Sequence, residues 1–156
     1  KEMKYLIDND IKDKGEYQLT NAMENMKRKG ARFKAGSVDV WMDCGNKNAM
    51  VDTNSRVLGF LNGSKDLVSA TLKLENSVMV PPCFIGENVT LVNSVVGPNV
   101  SIEQGTVVTN SVVRDSILRG DSRVQDAVVA NSMIGQRAMV KGRVLDLSLS
   151  DDATIG

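Results

Sequence analysis

The chain has 156 residues, with 19 basic and 19 acidic side chains and therefore no net formal charge. Without a bulk charge there is no long-range field to attract nucleic acid or an anionic membrane, so neither is expected as a partner. No apolar run approaches the roughly 20 residues that cross a bilayer, and the first residues form no secretory signal, so we expect a cytoplasmic location.

Two residue types limit the chemistry of the chain. Histidine is absent, which removes the commonest general base and the commonest metal ligand. Cys44 and Cys83 are too few for a disulfide scaffold and lack the paired spacing of a zinc site, so both are expected to be buried and reduced.

Apolar residues in the first 61 positions follow helical spacing. A first stripe predicts a short amphipathic helix and consists of Met3, Leu6, Ile7 and Ile11. A second stripe predicts a helix that ends with Gly30 at the left-handed C′ position, and consists of Leu19, Ala22, Met23 and Met26. Residues 33–40 then indicate an extended strand. Asn46 is expected to cap a third helix, closed by Gly63, one face of which carries Met50, Asn54, Val57, Leu58 and Leu61.

The order helix, helix, strand and helix cannot build a sheet with two covered faces. We therefore interpret residues 1–62 as the C-terminal tail of a larger α/β domain. Residues 63–70 are short and polar and are predicted to be a linker. The periodicity changes beyond them, so a second domain is expected over residues 71–156.

Aliphatic residues in this second domain recur every five or six positions. The series is Val80, Ile85, Leu91, Val96, Ile102, Val108, Val113, Leu118, Val124, Val129, Ile134, Val140 and Leu145. This period fits the hexapeptide repeat of a left-handed parallel β-helix, in which three repeats complete one coil, so a mainly β fold of about four coils is predicted. Asn or Asp at positions 76, 93, 110, 115 and 131 is expected at the corners, because both tolerate left-handed backbone.

Three stretches together resemble the sugar-1-phosphate nucleotidylyltransferases, in particular glucose-1-phosphate thymidylyltransferase-like proteins with a β-helical tail. They are GEYQLTNA at 15–22, VDVWMDCGN at 38–46 and PPCFIG at 81–86, and their order and spacing also match. The resemblance covers essentially the whole chain. It implies that residues 1–62 end a Rossmann-like catalytic domain whose nucleotide-binding part lies upstream, and that the chain alone is inactive.

Members of this family couple a nucleoside triphosphate to a sugar 1-phosphate with Mg²⁺ and release pyrophosphate. By resemblance, Asp43 supplies one carboxylate to the metal, and its partner Asp lies upstream of Lys1. Glu16 matches an acidic residue near the bound sugar. The chain departs from the family pattern at Asn46, where Thr is commoner, and it lacks the Gly-rich loop with a following Arg and Lys that opens these enzymes.

Each candidate residue also has a purely structural interpretation. Asp43 before Gly is a common turn former, and Glu16 in a first helical turn would complement the helix dipole. Trp41 is expected to pack rather than to stack on a base. The basic residues of the repeat are interpreted as solvated rather than as an effector phosphate site, and are Arg114, Arg119, Arg123, Lys141 and Arg143.

The favoured function is thymidylyl transfer to glucose 1-phosphate by the intact protein, with the β-helix serving assembly or regulation. Uridylyl, guanylyl and adenylyl transfer are the alternatives within the family. A purely structural oligomerisation module is the alternative from another class, because stacked coils offer flat faces and a homo-oligomer is expected. A β-helical acyltransferase is disfavoured, because those enzymes use a histidine base and the chain has none.

Overall fold

The computed structural model describes residues 1–64, 66–142 and 147–155. Its contacts divide the chain into two compact units, Lys1–Trp41 and Met42–Gly156. Within the described residues, none of the helices is both long enough and apolar enough to cross a membrane.

The first unit contains a pair of helices, α1 (Glu2–Asp8) and α2 (Leu19–Arg28), that pack on each other. Leu6 of α1 and Ala22 of α2 are buried. Glu2 joins the helices, because one of its carboxylate oxygens accepts hydrogen bonds from Asn25 at 2.5 Å and from Lys29 at 2.8 Å.

The ends of these two helices differ in how well the sequence predicts them. Gly30 follows the C-cap of α2 with φ +88°, so the predicted left-handed C′ glycine is confirmed. Helix α1 instead ends before Ile11, because Asp10 adopts φ +50° and the Ile11 amide turns back to the Leu6 carbonyl. The predicted first stripe therefore overestimates the length of α1.

Residues 31–41 form neither helix nor strand, so the extended strand predicted over 33–40 is wrong within the described chain. A strand needs a neighbour for its backbone groups, and the described residues provide none here. The apolar side chains left exposed are Phe33, Val38, Val40 and Trp41. Trp41 is 80% exposed, so the described residues do not provide the packing expected for its ring.

The second unit begins with the predicted third helix, α3 (Lys47–Leu61). Asn46 caps it as predicted, because its side-chain oxygen accepts a hydrogen bond from the Ala49 amide at 3.0 Å. Val51 and Leu58 are buried, seven residues apart and therefore on one face of the helix.

Fifteen short strands in the described residues follow α3 and wind into a parallel β-helix, so the predicted mainly β fold is confirmed. Their bounds are β1 (Lys73–Glu75), β2 (Val78–Met79), β3 (Cys83–Ile85), β4 (Thr90–Val92), β5 (Val95–Val96), β6 (Val100–Ile102), β7 (Val107–Thr109), β8 (Val112–Arg114), β9 (Ser116–Leu118), β10 (Arg123–Gln125), β11 (Val128–Ala130), β12 (Met133–Ile134), β13 (Met139–Lys141), β14 (Ser148–Leu149) and β15 (Thr154–Ile155).

Three parallel sheets form the sides of the β-helix. Their strand orders are β1-β4-β7-β10-β13-β15, β11-β8-β5-β2 and β14-β12-β9-β6-β3. The chain completes about five turns rather than the predicted four. The prediction was low because the aliphatic series began at Val80 and omitted both β1 and β2, which open the first coil.

One aliphatic side chain per repeat points inward and stacks on its copies in neighbouring coils. From Ile85 to Val140, every predicted inward residue is at most 1% exposed. Val80 is the exception at 39% exposed, and Met79, in register with Val96, packs against the core instead. Side chains alternate along a strand, so this one-residue difference moves Val80 to the outside. Leu145 lies outside the described residues.

The predicted corner residues all adopt left-handed backbone, with φ between 44° and 50° at positions 76, 93, 110, 115 and 131. Along one corner their side chains form a ladder, in which Asn76 donates to Asn93, Asn93 to Asn110 and Asn110 to Asp126. The donor–acceptor distances are 2.8, 3.2 and 3.0 Å. Each rung therefore joins one coil to the next.

The serine after each corner Asn forms a second ladder. The Ser94 amide donates to the Ser77 hydroxyl at 2.9 Å, and the Ser111 amide donates to the Ser94 hydroxyl at 3.1 Å. Within the described residues, no buried side-chain nitrogen or oxygen lacks a hydrogen-bond partner. The Asn-Ser pair thus connects successive coils while leaving no buried polar group unpaired.

The three sides of the β-helix expose different surfaces. On the helix-covered side, α3 packs against β6 and β9. The valine side, formed by β2, β5, β8 and β11, exposes an unbroken outward row that consists of Val78, Val95, Val112 and Val128. The mixed side carries outward polar and charged residues, among them Arg123 and Lys141.

Candidate functional site

Asp43 lies in the turn that leads into α3. Its carboxylate oxygen Oδ1 accepts a hydrogen bond from the Gly45 amide at 3.0 Å, and its carbonyl accepts one from the Thr53 hydroxyl at 2.9 Å. The side chain is exposed, and within the described residues Oδ2 accepts no hydrogen bond. Asp43 is therefore a turn former that still presents one carboxylate oxygen to solvent.

Among the described residues, side-chain hydrogen bonds attach α3 along one corner of the β-helix. Lys47 Nζ donates to the Asn131 carbonyl at 2.8 Å, and Asn54 Nδ2 donates to the Asn99 carbonyl at 3.2 Å. The register of the strands places Asn99 and Asn131 two coils apart on the same corner. Seven helical residues rise about 10.5 Å and two coils rise about 9.6 Å, so the two attachment points match in spacing.

Asn54 makes a second contact at the same corner, because the Ser101 hydroxyl donates to its Oδ1 at 2.5 Å. We name the set Lys47, Asn54, Asn99, Ser101 and Asn131 the α3 clasp. The sequence contains one signal for it, since Asn54 is a polar residue on an otherwise apolar face of the helix. Its partners were missed, because two of them act through backbone carbonyls that carry no residue-specific pattern.

Glu16 lies in the first unit, in the loop before α2. Its backbone closes a tight turn with Asp13 through hydrogen bonds of 2.9 and 3.0 Å, and its exposed carboxylate accepts one from Gln18 at 3.2 Å. Because α2 begins at Leu19, Glu16 is outside the first helical turn, and the interpretation as a first-turn, dipole-complementing carboxylate is wrong. Its contact with a sugar stays a prediction.

The loop that carries Glu16 is held by three neighbouring side chains. The Tyr17 hydroxyl donates to Asp10 at 2.7 Å, and Lys12 Nζ lies 2.6 Å from the same carboxylate oxygen. The hydrogen bond from Lys12, followed by that from Tyr17, lowers the pKa of Asp10. The hydrogen bond to Asp10 raises the pKa of Lys12 and of Tyr17. At neutral pH these contacts therefore favour the charged forms of Asp10 and Lys12 and the protonated, hydrogen-bonded form of Tyr17.

The described residues do not build a complete metal site. Among them, no three His, Cys, Asp or Glu side chains cluster in a way that could hold a metal ion. The free Oδ2 of Asp43 fits one ligand position of Mg²⁺, which binds carboxylate oxygens. Glu16 belongs to the first compact unit and Asp43 to the second. Among the described residues, Asp43 thus can contribute a single carboxylate to a magnesium site.

The basic residues of the repeat are exposed and divided among the sides of the β-helix. Arg114 lies on the valine side, and Arg123 and Lys141 lie on the mixed side. Arg119, just after β9, pairs with Glu103 at 2.7 Å, and the second oxygen of Glu103 accepts a hydrogen bond from the Gly120 amide. Arg143 lies outside the described residues. The described basic residues therefore do not converge on one phosphate-sized site.

The two cysteines have opposite environments. Cys83 is buried as predicted, and its thiol donates to the Val80 carbonyl at 3.1 Å. Burial raises the pKa of the Cys83 thiol. Cys44 is exposed, so its predicted burial is wrong. It lies in the turn between Asp43 and Gly45, outside any strand or helix of the described chain.

The outward valine row was not predicted from the sequence. Its members are 38% to 57% exposed, and each directly precedes an inward residue of the repeat. A second series with 16- or 17-residue spacing, shifted by one position, was the signal available for it. This row is the most continuous outward apolar feature on the valine side.

No protein-family model matches the sequence, and no curated protein matches it either. The fold itself defines the chain as a parallel β-helix protein built from hexapeptide-like repeats.

Proposed function

We propose that the chain is part of a sugar-1-phosphate nucleotidylyltransferase, which couples a nucleoside triphosphate, dTTP by preference, to glucose 1-phosphate. The observation that carries the proposal is the Asp43 turn, in which the WMDCG motif presents a carboxylate with one free oxygen directly before α3. Uridylyl, guanylyl and adenylyl transfer are the alternatives, because the residues that select the base would lie in the upstream part of the enzyme.

The exposed segment before Asp43 supports a larger domain around it. Phe33, Val38, Val40 and Trp41 are between 48% and 80% exposed, in a segment that forms no strand. A short series of exposed apolar residues without backbone partners is suited to join a sheet. In the proposed enzyme, this segment pairs with a strand of the upstream catalytic domain and is covered there.

The proposed reaction is an in-line displacement. A phosphate oxygen of the sugar 1-phosphate attacks the α-phosphorus of the triphosphate, and the bond to the bridging oxygen breaks as pyrophosphate leaves. Mg²⁺, when bound, neutralises charge on the phosphate oxygens. Asp43 holds this ion together with an upstream Asp, and Glu16 accepts hydrogen bonds from sugar hydroxyls. The chain alone lacks the nucleotide cradle and is expected to be inactive.

Pyrophosphate release by the full-length protein that contains this chain tests the proposal. Glucose 1-phosphate and Mg²⁺ are offered with each of dTTP, UTP, GTP, CTP and ATP, and the 156-residue chain is assayed in parallel. Asp43→Ala is expected to lower turnover at least about 100-fold, because a metal ligand is lost. Asp52→Ala is the matched control, since it removes an exposed carboxylate on the outer side of α3. If the full-length protein releases no pyrophosphate with glucose, mannose or N-acetylglucosamine phosphates, the proposal is overturned.

The valine row favours a second candidate function, assembly of copies of this chain. A row of identical residues is self-complementary about a two-fold axis, which suits a homo-oligomer formed through the valine side. Val112→Glu is expected to shift the chain towards monomer in size-exclusion chromatography with light scattering. Thr109→Glu, which places the same charge on the mixed side, is the control. A monomeric wild-type chain would rule out assembly through this row.

A further inference from the structure

We propose that the β-helix positions the Asp43 carboxylate through α3, and that Asn54 is the positioning residue that transmits this constraint. The inference rests on the proposed function, because it assigns a task to the carboxylate that would bind the metal. Besides assembly, the β-helix then has a second role, which is to fix the geometry of the active-site turn.

Helix α3 is held against translation along the β-helix. Lys47 and Asn54 bond to carbonyls two coils apart, and two helical turns span nearly the same distance. A single contact would leave α3 free to pivot, whereas two matched contacts fix both its position and its direction. Val51 lies between them and is 5% exposed, so packing supports the same placement.

Of Lys47 and Asn54, Asn54 makes the contact with the stricter chemical requirement. Its amide donates to the Asn99 carbonyl and its carbonyl oxygen accepts from the Ser101 hydroxyl. Only a side chain with both a donor and an acceptor makes these contacts together. Removing it leaves a partly buried carbonyl and a partly buried hydroxyl without their partner, which costs more than the loss of an exposed contact.

The α3 clasp is also connected to the turn that contains Asp43. Thr53, the residue next to Asn54, donates its hydroxyl to the Asp43 carbonyl at 2.9 Å. The turn is closed from the other direction by the bond from the Gly45 amide to Asp43 Oδ1, and Asn46 then caps α3. Asp43 is thus tied to the second turn of α3, and that part of α3 is tied to Ser101 of the β-helix.

Amide hydrogen exchange, measured by NMR on the 156-residue chain, tests the constraint without any enzymatic assay. Asn54→Ala and Ser101→Ala are each expected to speed exchange at Gly45 and Met50 about tenfold, because each loses hydrogen bonds of the clasp. Asp52→Ala is the matched control, because it also introduces the high helix propensity of Ala but lies on the exposed side of α3. Ser101→Thr keeps the hydroxyl and is expected to restore slow exchange.

In the full-length protein, the expected signature is a change in metal dependence. Asn54→Ala is expected to raise the Mg²⁺ concentration for half-maximal turnover several-fold, while KM for the sugar phosphate changes little. Ser101→Thr is expected to behave like the wild type.

The two proposals fail in different ways. If the wild-type full-length protein releases no pyrophosphate, the proposed function falls, and the exchange data alone decide whether the β-helix holds the Asp43 turn. Unchanged exchange at Gly45 in both Asn54→Ala and Ser101→Ala would overturn the positioning role, even in an active enzyme. Faster exchange with an unaltered Mg²⁺ dependence in an active enzyme would overturn it as well.

Discussion

Arg137 binds Asp152 through two parallel hydrogen bonds, from Nε to Oδ1 at 2.6 Å and from Nη2 to Oδ2 at 2.9 Å. Both residues have left-handed backbone, with φ +56° and +59°, so this pair joins the corners of successive coils. The hydrogen bond from Arg137 lowers the pKa of Asp152 below its ordinary value of 3.8. The same bond raises the pKa of Arg137.

The pair gives the last described coil a defined pH dependence. Because the folded pKa of Asp152 is depressed, its contribution is complete above the unfolded value and is lost as the pH falls through the folded value. Arg137→Met is therefore expected to lower the thermal midpoint slightly at about pH 6 and not at about pH 2. An equal difference at both pH values would contradict this assignment. High salt should reduce the effect, because both groups are exposed.

Two adjacent valines on β8 allow the contribution of a buried side chain to stability to be compared with that of a surface side chain. Val113 is fully buried and Val112 is 39% exposed, although both belong to the same strand. Val113→Ala is expected to cost about 2 kcal/mol of unfolding free energy, from lost apolar burial and the cavity left behind. Val112→Ala should cost less than about 1 kcal/mol. Urea unfolding of both variants measures the difference, and similar losses would contradict the inward stacking.

The corner ladder predicts an order of stabilities at position 110. Asn110 has φ +50°, accepts a hydrogen bond from Asn93 and donates one to Asp126. Asn110→Ala loses both bonds and keeps a Cβ in left-handed backbone without the polar side chain that lets Asn tolerate it, so it should cost about 1–3 kcal/mol. Asn110→Gly loses the bonds but relieves the backbone, and is expected to fall between Ala and the wild type. An alanine variant more stable than the glycine variant would contradict the ladder's backbone role.

Thiol labelling is expected to distinguish the two cysteines. Cys44 is exposed, whereas Cys83 is 6% exposed and burial raises its thiol pKa, which lowers its thiolate fraction. Cys83 should therefore react with iodoacetamide at least about 100-fold more slowly than Cys44. Mass spectrometry of Cys44→Ser should then show no rapidly labelled thiol. Denaturant should equalise the two rates, and fast labelling of Cys83 in the native chain would show that this coil opens readily.

The β-helix could be predicted from the sequence because its physical cause is periodic. One inward aliphatic residue per repeat and one left-handed corner per turn leave marks at fixed spacing, and both reappear in the structure. Among the described residues, the predicted inward position differs from the observed one by a single residue at Val80, next to Pro81. The aliphatic series did not extend to β1 and β2, so the number of coils was underestimated although these strands keep the same register.

The candidate site was predictable only in part. An Asp before Gly predicts a turn, and Asn46 predicts the cap that follows it, because both depend on residues close in sequence. The clasp depends on two hydrogen bonds to backbone carbonyls, between residues that are 45 and 84 positions apart in the sequence, and no local pattern predicts them. The exposure of Cys44 likewise depends on which neighbours the fold provides.

The α3 clasp also limits how this protein can change its length. In a repeat fold, whole coils can in principle be inserted or removed while the stacking interactions are preserved. Between residues 99 and 131, however, one extra coil would add about 4.8 Å to a span that two helical turns already match. Coils are therefore interchangeable outside this interval, whereas inside it their number is set by the helix, which serves as a molecular ruler.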